Sequence, residues 1–178
     1  MIPRFAMTLE EYSKSWKKLA DGLADVLVSQ LHGETDLAEE FIREQLYSGV
    51  NGDEERLTPK YSQDPYFKEV YGKNWKSHAI GYMKWKRKIQ PPAASFLGFR
   101  PRAMDTPNLI IRGDFYDSIT AIPIKDGIMV TSNGLSFSAD IEKKYSTRIY
   151  KISNKARKHY IIYYAMPQIK DFIKSCGL

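Results

Sequence analysis

Between residues 48 and 108 the chain is broken at short intervals by Gly49, Gly52, Pro59, Pro65, Gly72, Gly81, Pro91, Pro92, Gly98, Pro101 and Pro107. Proline removes a backbone donor and fixes φ, while glycine weakens helix and strand alike. Long regular elements do not survive such spacing, so the ends of the chain must build most of the regular structure. Yet the segment holds Tyr61, Tyr66, Phe67, Tyr71, Trp75, Tyr82, Trp85, Phe96 and Phe99. Stretches of this length without structure are unusual in a compact domain, and these rings call for burial. We expect an extended arm that orders against a partner, with a short helix near Asn74–Lys88.

The N-terminal end is strongly periodic. Thr8-Leu9-Glu10-Glu11 has the form of a capping box. Leu9, Tyr12, Trp16, Leu19, Leu23, Val26 and Leu27 follow at spacings of three and four, which predicts an amphipathic helix of about 22 residues. Gly33 interrupts it. Asp36 to Glu39 then opens a second, shorter helix carrying Leu37, Phe41, Ile42 and Leu46.

After residue 108 order returns. The apolar run Leu109-Ile110-Ile111 stops at Gly113, with Leu109, Phe115 and Ile119 as anchors around that glycine. Ser118–Ile124 and Ile128–Ser132 flank Lys125-Asp126-Gly127, a hairpin signal in which Asp-Gly supplies positive φ. Pro123 places its strand at an edge or bulge. Ser138–Tyr145 predicts a short helix and Arg148–Ile152 a third strand. Ser153 caps a final helix that Pro167 kinks or restarts. The pattern defines one α+β domain over residues 1–178. A long N-terminal helix (within 8–47), an irregular middle arm or insertion (48–108), and a small antiparallel sheet with a packed C-terminal helix (109–178) make it up.

The net charge of +6 hides a division. Residues 1–58 hold 6 basic and 12 acidic side chains, leaving +12 for the rest, and 60–102 hold 10 basic against 2 acidic. Such asymmetry points to a polyanion or an electrostatic mate. Within Tyr82-Met83-Lys84-Trp85-Lys86-Arg87-Lys88, basic and aromatic residues alternate. Two readings stand. Either Tyr82, Trp85 and Ile89 pack inward at helical spacing, or Lys84, Lys86, Arg87 and Lys88, joined by Arg100 and Arg102, face DNA or a partner. Asp126, Glu142 and Lys144 could serve a Mg²⁺ nuclease, which would need two carboxylates on one metal. However, Asp126 falls at a hairpin tip and Glu142 on a helix surface. His32, His78 and His159 have no metal-ligand spacing, and no phosphate-binding or nucleophile motif occurs. No catalytic, cofactor or metal residue is expected. One cysteine, Cys176, cannot form an internal disulfide. The start of the chain lacks the apolar core of a signal peptide, and no run is long enough to span a membrane. A soluble intracellular product is expected.

The order of these signals resembles the phage virion morphogenesis proteins, the head–tail joining and tail-completion family. Leu57-Thr58-Pro59 and Tyr82 to Lys86 occupy the family's middle segment. Asn108 to Ile119, with Leu109, Gly113, Phe115, Ser118 and Ile119, stands at its hallmark Leu-x-x-Thr-Gly-x-Leu-x-x-Ser-Ile. Arg112 replaces the usual Thr and Phe115 the usual Leu. Phe137 to Tyr145 resembles the short helix after the hairpin, with Ser146 where a glycine is usual. Arg148 to Ser153 resembles the strand before the last helix. The resemblance implies a structural protein, not an enzyme, that forms a homo-oligomeric ring in the virion neck. It implies contacts with other neck or tail proteins, non-specific contact with packaged DNA, and assembly in the bacterial cytoplasm. The basic character of the chain leaves a nucleic-acid-binding protein as the alternative.

Overall fold

The structure is a computed structural model and describes residues 7–178. The N-terminal residues bearing on a leader lie largely outside the described residues. Helix α1 (Leu9–Gly33) begins at the capping box: Glu11 N–H donates to Thr8 Oγ1, and Thr8 N–H donates to Glu11 Oε2 at 2.8 Å. It runs against the C-terminal helix, where the Phe172 ring packs so closely on Gly22 that a Cβ would meet it at 2.8 Å. Helix α2 (Thr35–Tyr47) follows after a single residue and carries the core positions Phe41, Ile42 and Leu46.

The sheet is one antiparallel hairpin, β1 (Ile119–Ile124) and β2 (Gly127–Ser132), in the register Ile119↔Ser132 through Ile124↔Gly127. Both strands are edges, which accommodates Pro123. Lys125 and Asp126 form the turn, and Gly127 pairs with Ile124. Neither Asp126 nor Gly127 has positive φ, contrary to the expectation from Asp-Gly. Helix α2 lies across β1. Arg43 donates to Tyr116 O at 2.8 Å and Ile119 O at 3.0 Å, while Glu39 accepts from Ala121 N–H. His32, at the end of α1, lies 2.8 and 2.9 Å from the carbonyls of Ile124 and Gly127 at the hairpin tip.

The third strand expected at Arg148–Ile152 does not form. Thr147–Tyr150 is a 3₁₀ turn, because the partners of its backbone lie elsewhere. The buried Gln45 side chain donates to Ile149 O and Lys151 O and accepts from Ser153 N–H. Gly52 N–H donates to Arg148 O. One side chain from α2 thus replaces a strand partner. Before this turn lies α6 (Ser138–Tyr145), and after it come α7 (Asn154–Tyr160, capped by Ser153) and α8 (Met166–Ser175). Residues Ile161–Ala165 join α7 to α8 as a π-helical turn. Pro167 has no N–H to give, so the ladder widens there without breaking.

The middle segment keeps long irregular stretches and carries two helices between them: α3 (Pro65–Tyr71) and α4 (Trp75–Ile89), the latter at the expected place. Its buried rings find partners in the chain itself. Tyr61, Phe67, Ala79 and Met83 form a small cluster, and Val50, Leu97 and Phe99 join Phe41 and Ala156 in another. Leu57 enters the main core with Ile42, Leu46, Phe115, Tyr116, Ile119, Ile149 and Tyr150.

Candidate functional site

The hallmark segment is the hinge of this arrangement. Leu109 and Gly113 hold positive φ values of 55° and 116°, a conformation that suits glycine and is rare for leucine. The turn at Gly113 starts the single-turn helix α5 (Asp114–Asp117), which drives Phe115 and Tyr116 into the core. Tyr116 Oη donates back to Asn108 O at 2.5 Å. Ser118 Oγ reaches Phe115 O at 2.7 Å and Ser132 Oγ at 2.7 Å, and Ser132 Oγ in turn reaches Ser138 Oγ. This hydroxyl chain ties the hallmark to β2 and α6. Ile119 is buried at the start of β1. Ser118 and Ile119 therefore act as scaffold, whereas Leu109, Gly113 and the buried Phe115 also line an open groove.

That groove, of about 1010 Å³, lies between α3 and α4 on one side and Leu109–Phe115 with α6 on the other. Its walls carry Tyr66, Tyr71, Trp85 and Phe137, all exposed. Tyr71 stacks on His78 with ring centres 3.9 Å apart. At depth, Asp64 pairs with Lys144 across the two walls while also accepting from Tyr66 N–H at the start of α3. Burial raises the Tyr61 and Tyr145 hydroxyls far above the usual tyrosine range, and Tyr82 in the same direction. All three are neutral donors at physiological pH.

Helix α4 divides the predicted basic residues. Lys84, Arg87 and Lys88 are exposed on it, and Arg100 is exposed on the following loop. Lys86 and Arg102 are buried, and so do not face a macromolecular partner. Lys86 Nζ donates to Gln90 Oε1 and Ile110 O, fastening the helix to the hallmark. Its pKa is lowered to about 8, by burial first and by the like charge of Arg102 second. Arg102 donates to Gln90 O at 2.5 Å and lies over the Tyr47 ring. The inward face of α4 is Ala79, Met83 and Lys86. Trp85 and Ile89, one alternative for that face, are exposed instead. Lys73 and Lys76, which sequence reasoning missed, are exposed as well. Lys76, Ile80, Lys84 and Arg87 recur at helical spacing and share the outer face, a signal already present in the sequence.

The nuclease constellation is not assembled. Asp126 lies at the hairpin tip, Glu142 accepts from Tyr150 Oη at 3.0 Å, and Lys144 is paired with Asp64. Among the described residues no three His, Cys, Asp or Glu side chains converge as a metal-ligand group. No described helix is long and apolar enough to cross a membrane. Comparison with protein-family models, curated proteins and solved structures finds no match to the chain.

Proposed function

We propose that this chain is a bacteriophage or prophage structural protein of the virion neck, a ring subunit acting in head–tail joining or tail completion. The observation that carries this reading is Ser146. It stands where the family whose hallmark the chain resembles usually has glycine. Its backbone sits at φ 67°, ψ 155°, a region that only glycine enters without strain. The sequence departs from the family pattern there, while the backbone keeps the conformation a glycine would take. The order of elements is also compatible, with long helix, middle segment, hallmark turn, hairpin, short helix and C-terminal helix in sequence, although a 3₁₀ turn at Thr147–Tyr150 stands where the family pattern has a strand.

Self-assembly finds support in α1. This helix of 25 residues has no fully buried side chain, and Leu9, Tyr12 and Trp16 are exposed along it. An amphipathic helix with its apolar stripe half covered is suited to a neighbouring subunit. The acidic N-terminal and basic C-terminal parts favour head-to-tail contact, which closes into a ring where the rotation allows. In such a ring the exposed cations of α4 would suit non-specific contact with passing DNA, and α1 the other neck or tail proteins.

The test is electron microscopy of lysates from a phage-producing strain in which this gene is disrupted. Separate full heads and separate finished tails are expected. Overlong or ragged tails would place the action at tail termination. Intact, infectious particles would overturn the reading.

A further inference from the structure

We propose that the groove between α4 and the Leu109–Phe115 segment binds single-stranded nucleic acid. The bases would lie against the exposed rings of the groove and the phosphates beside it on α4, nearest Lys84 and Lys88, which follow the groove residues Gly81 and Trp85 by three positions. No Asp or Glu occurs between Glu69 and Asp105. Within that stretch Lys73, Lys76, Lys84, Arg87 and Lys88 are exposed on α4 and the turn before it. None of these five forms an ion pair among the described residues, whereas Lys60, Lys144, Arg148 and Lys151 all do. From Lys76 to Arg87 the helix rises about 16 Å, which is room for several phosphates.

Trp85 follows Lys84 in sequence, turned toward the groove. It is 44% exposed, and Tyr66, Tyr71 and Phe137 are 52%, 38% and 40% exposed. Exposed rings are costly to leave in water and ready to stack on bases, which they do with little regard to sequence. The far rim of the groove carries the exposed Asp114 and Asp140 beside Arg112. Carboxylates there disfavour phosphate and accept hydrogen bonds from exocyclic amines. Three of the rings, Tyr66, Tyr71 and Trp85, stand on the α3 and α4 wall with Phe137 opposite, and the far-rim carboxylates keep the phosphates on the α4 side. A duplex, with its bases already stacked and paired, can use the cations but leaves the rings idle. Ring formation is not needed for this binding, so it stands or falls apart from the virion reading.

The test is fluorescence anisotropy of the full chain with a labelled mixed-sequence single strand of about 16 nucleotides, across a salt series, against the same strand annealed to its complement. The single strand should bind more tightly than the duplex at every salt concentration. Neutralising four phosphates predicts a log–log salt slope of about −3. Lys84→Glu with Arg87→Glu should weaken binding about tenfold or more. Trp85→Ala should weaken it about fivefold or more, and Trp85→Phe should restore most of the loss. Circular dichroism checks that these surface variants keep their helices. No binding at low salt, equal or tighter binding of duplex, or an unchanged affinity in Trp85→Ala would each overturn the proposal.

Discussion

Lys86 lies on the inward side of α4, 2% exposed, where the run of basic residues around it suggests a surface cation. Its amine serves two carbonyl oxygens, Gln90 Oε1 and Ile110 O, and faces no carboxylate. The folded state disfavours its proton, so the pKa falls from 10.5 to about 8. Below pH 8 both folded and unfolded chains carry that proton, and the cost to folding is on the order of 3 kcal/mol. Between pH 8 and about 10 the unfolded chain holds a proton that the folded chain has released, so stability rises with pH. Above about pH 10 the buried Tyr61 and Tyr116 reverse the slope, because they ionise first in the unfolded chain. Urea midpoints measured from pH 7 to 10 should therefore climb in the native sequence and stay flat in Lys86→Met. A climb that persists in the variant would remove Lys86 as its source. Helical spacing sets Lys86 on the face of Ala79 and Met83, away from Lys84, but the charge of its neighbours hides that, and the Ile110 carbonyl gives its amine a partner there.

At the scale of elements, the hairpin and its flanking helices follow from local chemistry. The capping box at Thr8, the β-branched runs around Lys125-Asp126 and the Ser153 cap all act within a few residues of themselves. The fate of Arg148–Ile152 does not. Its alternation reads as a strand, but Gln45, more than a hundred residues earlier, takes its hydrogen-bonding groups. The turn entering this segment carries strain at Ser146, whose hydroxyl gives only a long 3.5 Å contact to Arg148 N–H in return. Ser146→Gly should release that strain. Set against the greater freedom of glycine in the unfolded chain, the net gain should be about 1 kcal/mol. It would be read as a higher thermal midpoint with an unchanged circular dichroism spectrum. A lower midpoint would show that the hydroxyl matters more than the backbone.

Across the whole molecule, the unit formed by α3 and α4 meets the rest of the chain through a few defined ties. Asp64 and Lys144 bridge the groove, Tyr61 N–H donates to Asp105 O at 2.9 Å, and Tyr47 Oη donates to Pro91 O at 2.8 Å. Asp64 both caps α3 and anchors Lys144. Asp64→Ala should cost about 2 kcal/mol. Hydrogen exchange should quicken in α3 and α4 well before it does in β1 and β2, because the hairpin core makes no use of Asp64. Equal loss of protection in both regions would mean that the two units open together.

The punctuated middle segment shows where local information stops. Its glycines and prolines do limit regular structure, and its short helix is legible at Trp75–Ile89. What its rings pack on is not. Tyr61, Phe67 and Met83 meet one another only because α3 folds back on α4. The hallmark is similar. Its residues stand out in the sequence, but the groove they line exists only once α4 and α6 are placed on either side. Cap chemistry and hydrophobic period act over one or two turns, so the amino-acid order alone settles the class of fold, the hairpin and most helix boundaries. Burial of Lys86 and Arg102, the missing third strand and the gathering of exposed rings along one groove depend on partners distant in sequence. Those contacts form only when the chain closes on itself, and so they belong to the tertiary structure.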